Sequence, residues 1–112
     1  MNKDILYYIW LSQVFNYADF KVKCIMDKYK NIGDFYKDKD KAKNCECLTK
    51  QNMDMINRKK VEDYQYIIDI CNKKHIHIVC YNDDIYPKRL KDIDAPPPVL
   101  YYTGNLNILN NY

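Results

Sequence analysis

The sequence predicts an α+β fold, with a helical bundle over residues 1–74 and a β-rich segment over residues 75–112. Three observations predict it. Apolar residues recur at helical spacing as far as residue 74, the period then changes to short β-branched runs, and the charge divides at the same place. Residues 1–74 carry 15 Lys+Arg against 11 Asp+Glu, net +4, whereas residues 75–112 carry 3 against 4, net −1.

Each element has its own signal. Ile5, Leu6, Ile9, Trp10 and Val14 form a stripe that predicts an amphipathic helix from Asp4 to Phe15. A second helix is expected from about Ala18 to Lys30, with Phe20, Cys24 and Ile25 on one face and its lysines mostly outside it. Asn31 and Gly33 supply its stop signal. The stretch from Asp34 to Asn44, with its alternating Lys and Asp, is too polar to bury much beyond Phe35 and Tyr36, so a short helix and a solvated loop are expected. Thr49 is placed to cap a further short helix through Met53, Met55 and Ile56. A long helix should then run from about Lys59 to Lys74, with Val61, Tyr64, Ile68 and Cys71 on its buried stripe and Lys73 and Lys74 at the negative end of its dipole.

From His75 to Tyr81 the sequence reads as a strand leaving that helix, followed by the turn residues Asn82-Asp83-Asp84. A short helical segment through Leu90 comes next. The rigid bend Ala95-Pro96-Pro97-Pro98 leads into a second strand, Val99 to Thr103, closed by Gly104-Asn105.

With 112 residues the chain can form one modest core, which excludes a complete doubly wound catalytic domain joined to a helical module. No window approaches the roughly 18 to 20 apolar residues of a membrane span, and Met1-Asn2-Lys3-Asp4 lacks the layout of a signal peptide. A cytoplasmic protein without membrane partners is therefore expected. Five cysteines without framework spacing read as reduced thiols. The abundance of Lys, Asn, Ile and Tyr, including 12 Tyr, reads as a genomic bias toward AT-rich codons rather than as a functional signal.

The basic surface has the best physical case for chemistry. Residues 21–60 hold 12 Lys+Arg and 6 Asp+Glu, net +6, interleaved with Tyr29, Phe35 and Tyr36. Lysines that neutralise phosphates gain affinity by counterion release, and aromatic rings can stack bases. Lys21, Lys23, Lys28 and Lys30 are thus the candidate nucleic-acid contacts, with a merely solvated helix face as the competing reading. Only two arginines stand in the chain, so bidentate base recognition is not expected and any binding should ignore sequence. Cys45, Cys47, Cys71 and His75 include metal-ligand types, but Cys-Xaa-Cys is not the knuckle spacing of structural zinc, and no metal is expected. His75 and His77 alternate as on one strand face. No phosphate loop, nucleophile elbow or distinctive carboxylate pair is present, so neither catalytic residues nor a cofactor are assigned.

Asp84-Ile85-Tyr86-Pro87-Lys88-Arg89-Leu90, then Ile93-Asp94-Ala95-Pro96-Pro97-Pro98-Val99-Leu100-Tyr101-Tyr102-Thr103-Gly104, form one long ordered pattern. It resembles the bacterial DNA-processing protein A family (DprA, also called Smf). Tyr86, Pro87, Leu90, Pro97, Pro98, Leu100 and Gly104 are its motif positions, and all are best taken as structural. Tyr86 is expected to pack against Leu90 or Leu100.

The resemblance implies a helical module of sterile-alpha-motif-like or helix-hairpin-helix-like type, followed by the first two strands of an extended Rossmann-like sheet. It also implies a non-enzymatic protein that binds single-stranded DNA and supports RecA loading in natural transformation. The family's Gly-Ser-Arg loop, DNA pocket, dimer surface and RecA contact would follow Tyr112, so RecA binding and homodimerisation are expected only of a full-length protein. The family's glycine-rich turn is replaced here by Phe15-Asn16-Tyr17-Ala18-Asp19, where Asp19 opposes a phosphate. The rival readings are a protein-interaction module without DNA binding and the front of a Rossmann-type nucleotide hydrolase of the lysine-decarboxylase-like superfamily.

Overall fold

The computed structural model describes residues 4–15 and 20–103. The expected α+β class is observed: six helices, then a two-stranded antiparallel sheet, with one further short helix between the strands. Gly104, Asn105 and most of the Phe15–Asp19 turn lie outside the described residues.

Helix α1 (Ile5–Val14) is the spine of the molecule. Its stripe predicts one buried face, yet Ile5, Tyr8, Ile9, Trp10, Leu11 and Val14 are all buried. The reason is that α3 (Ile32–Lys37), α5 (Lys50–Arg58), a 3-10 turn (Val61–Tyr64) and both strands pack around it. Trp10 is fully buried, lies edge-on to Tyr36 at 4.9 Å, and donates its indole N–H to the Lys59 carbonyl at 2.7 Å. This satisfies the one polar atom of the ring in an otherwise apolar setting.

Helix α2 (Phe20–Lys28) buries Val22, Ile25 and Met26. Gly33, expected as a stop, instead lies buried inside α3. A Cβ there would stand 3.2 Å from the Tyr7 ring, so the missing side chain lets α3 close on α1.

The Lys-Asp alternation after α3 is not simply a solvated loop. Asp38 accepts from the Tyr29 hydroxyl at 2.5 Å, the Asp40 amide at 2.8 Å and the Asn44 side chain at 2.8 Å. Those donors, Tyr29 foremost, pull the Asp38 carboxyl down to about 2. Lys41, at the start of α4 (Lys41–Asn44), is only 8% exposed, and its ammonium donates to the Tyr36 and Asp38 carbonyls at 2.8 and 2.7 Å. Burial lowers its pKa, with Asp38 opposing.

Thr49 caps α5 as expected, its hydroxyl accepting from the Asn52 amide while the Asn52 side chain accepts from the Thr49 amide. The long helix expected from Lys59 begins later. Lys59 and Lys60 are extended, because the Lys59 carbonyl takes the Trp10 indole and its ammonium reaches the Gln13 carbonyl at 2.8 Å. Only after the 3-10 turn does α6 (Gln65–Lys73) form.

Helix α6 ends with His75 in the left-handed region, φ 57°. The Ile76 amide returns to the Cys71 carbonyl at 2.8 Å and the His75 amide to Asn72 at 3.4 Å, the paired bonds of a Schellman cap. His75 and Ile76 therefore complete the helix, so His75 and His77 do not share a strand face.

Strand β1 (His77–Cys80) pairs with β2 (Val99–Tyr102) in the register Ile78 to Tyr101, Val79 to Leu100 and Cys80 to Val99. Ile78, Cys80 and Val99 join the core around α1, whereas Val79, Leu100 and Tyr102 pack with Tyr86 and Leu90. Both faces of the sheet are thus covered, which explains why the strands read as continuous apolar runs rather than alternating ones.

Candidate nucleic-acid interface

The four candidate lysines are not gathered on one surface. Lys21 and Lys23 stand two residues apart on α2, about 200° around the helix, so the buried stripe of Val22, Ile25 and Met26 separates them. The Lys21 ammonium donates to Asn52 of α5 at 2.9 Å, and that of Lys23 to the Ile93 carbonyl at 3.2 Å. Lys28 closes α2 and Lys30 follows it, both exposed. Composition over residues 21–60 gave no warning of this, because the number of lysines does not record which carbonyl each one meets.

Two clefts flank α2. On one side, a cleft of about 340 Å³ is lined by Cys24, Lys28, Lys43, Asn44, Cys45, Glu46 and Cys47. Burial pushes the Cys45 and Cys47 thiols upward, with Lys28 and Lys21 respectively pulling the other way. The second is larger, about 690 Å³, and lies between α2 and the turn before the proline run, lined by Phe20, Lys23, Cys24, Asp27, Asp94 and Ala95. Phe20 is 62% exposed there, an apolar ring in water beside an ammonium. Such a pair can stack a base and meet a phosphate, but Asp27 and Asp94 oppose an anion in the same cleft. Phe20 is the residue that sequence reading missed: its place on the helical stripe suggested the core.

The motif positions are placed together. Tyr86 is 2% exposed, lies on the sheet face away from α1 and donates its hydroxyl to the Pro97 carbonyl at 2.8 Å. Pro87 is buried after a trans peptide bond and opens α7 (Lys88–Lys91), from which Leu90 returns to the Tyr86 cluster. Pro98 accepts from the Tyr81 amide at 3.0 Å, and Leu100 packs beneath Tyr86 from β2. Asp83 accepts from the Cys80 amide at 2.7 Å, closing the turn. Lys91 lies over the Tyr81 ring at 5.1 Å, and Tyr81 donates to Asp27 of α2 at 3.1 Å. Gly104 lies outside the described residues.

Among the described residues no three His, Cys, Asp or Glu side chains are set to hold a metal ion, and no helix is long and apolar enough to cross a membrane. What the fold defines is a small α+β protein whose two-stranded sheet is covered by helices on one face and by a Tyr-Pro latch on the other. The latch segment has recognisable kin: residues 77–112 match the DNA recombination-mediator protein A family. That match associates the segment with DNA processing. No curated protein and no solved structure matches the chain.

Proposed function

We propose that this chain acts as the front part of a DprA-type DNA-processing protein, contacting single-stranded DNA weakly and without sequence preference, and serving RecA loading in natural transformation. On this reading residues 1–74 are the helical module and residues 75–112 open a Rossmann-like sheet. RecA binding and homodimerisation belong to the full-length protein, and the role is binding rather than catalysis. The observation that carries the proposal is the family match over residues 77–112, whose motif side chains form a single latch.

The Phe20–Lys23 cleft is the proposed contact, since it offers one stacking ring and one ammonium. Anisotropy titration of a labelled single-stranded oligonucleotide should give a Kd in the roughly 10⁻⁴ to 10⁻⁶ M range of non-specific binding, weakening as salt rises. Phe20→Ala should cost about 1–3 kcal/mol of binding through lost stacking. Absent binding, or binding indifferent to salt, overturns the proposal.

One observation favours a second reading. Lys21 and Lys23 already serve intrachain acceptors, as a protein-docking module would allow. RecA capture by the chain without DNA binding would select that alternative.

A further inference from the structure

Three of the five free cysteines line one cleft, on the side of α2 away from the Phe20–Lys23 cleft, and Cys24 borders both. Cys24 is exposed on α2, Cys47 is half-buried between α4 and α5, and Cys45 is buried beneath them at 4% exposure. Cys24 on α2 and Cys47 on the α4–α5 connection line one cleft, and Cys24 is near enough to help hold the Cys47 thiol above its ordinary range. The cleft of about 340 Å³ opens onto both, far above the roughly 30 Å³ share of one water molecule, so a small oxidant can reach them. Lys28 and Lys43 line the same cleft. Cys45 is a poor partner for Cys47, because a bridge between residues two apart strains the disulfide geometry.

We propose that Cys24 and Cys47 form a reversible disulfide in response to hydroperoxides, pinning the α4–α5 connection to α2. The exposed Cys24 thiolate attacks the O–O bond, giving a sulfenic acid and releasing the first water. Cys47 then attacks that sulfur, the S–S bond forms, and the sulfenic hydroxyl leaves as a second water with the remaining thiol proton. Two thiols lose two electrons and two protons, and one hydrogen peroxide becomes two waters. A dithiol reductant reverses the bridge by thiol exchange.

The test treats the intact chain with stoichiometric hydrogen peroxide, then counts free thiols and maps peptides without reduction. Five thiols should fall to three, one peptide should join Cys24 to Cys47, and dithiothreitol should restore all five. Cys24→Ser, at an exposed position, should retain its four thiols under the same treatment. Survival of all five thiols, a bridge between any other pair, or covalent dimers would overturn the proposal.

Discussion

The helical region and the segment from His77 to Thr103 use polar groups in different ways. In the latch segment the polar and motif side chains find structural partners close in sequence: Tyr86 reaches Pro97, Asp83 reaches Cys80, and Leu90 folds back on Tyr86. In the helical region the capping pair Thr49–Asn52 is local, but several other partners are remote in sequence. Trp10 meets Lys59, Lys21 meets Asn52 and Lys23 meets Ile93. An ordered motif therefore reports its own contacts, whereas a lysine-rich composition does not say which lysines are free.

The largest expected effect tests whether the two regions are one cooperative unit. Trp10→Ala empties the centre of the α1 packing and leaves the Lys59 carbonyl without its donor, so it should cost about 3–5 kcal/mol in urea unfolding. Because Cys80 and Val99 share that core, amide exchange in β1 and β2 should accelerate along with α1. Strands that stay protected while α1 opens would divide the molecule in two.

A smaller effect isolates the latch. Tyr86→Phe keeps the ring on Val79 but strands the Pro97 carbonyl, for a loss of about 1–2 kcal/mol. Exchange at β2 should quicken while Trp10 fluorescence stays unchanged; a loss that spreads equally to α1 would erase the contrast.

The smallest effect lies at the junction of the two regions. His75 is exposed and holds a left-handed φ of 57°, so His75→Gly should stabilise the protein by about 0.5–1 kcal/mol by relieving the Cβ clash. A Tm that falls would show that the imidazole makes a contact outweighing that strain.

Several elements were legible because their cause is local. Thr49 with Asn52 is a cap within one turn, and the β-branched run at Ile78-Val79 needs only its own chain to be extended. The end of the second helix and the start of the long one differ from expectation for the opposite reason. Gly33 reads as a terminator because the Tyr7 ring it admits is remote in sequence, and Lys59 reads as helical because its Trp10 partner is equally remote. At the candidate site, Lys23 was legible as a cation, but Phe20 was not legible as an exposed ring, since a helical stripe does not reveal which of its members a neighbouring element covers.

By itself, then, the sequence determined the α+β class, the change from helix to strand near residue 75 and the motif from Tyr86 to Leu100, because propensity, periodicity and turn chemistry act over a few residues. Only the tertiary structure decided that α1 is enclosed rather than amphipathic, that Lys21 and Lys23 fall on opposite flanks of α2, and that Cys24 and Cys47 share a cleft. Those outcomes depend on contacts between distant segments, where burial and hydrogen-bond satisfaction over the whole core override what each segment prefers alone.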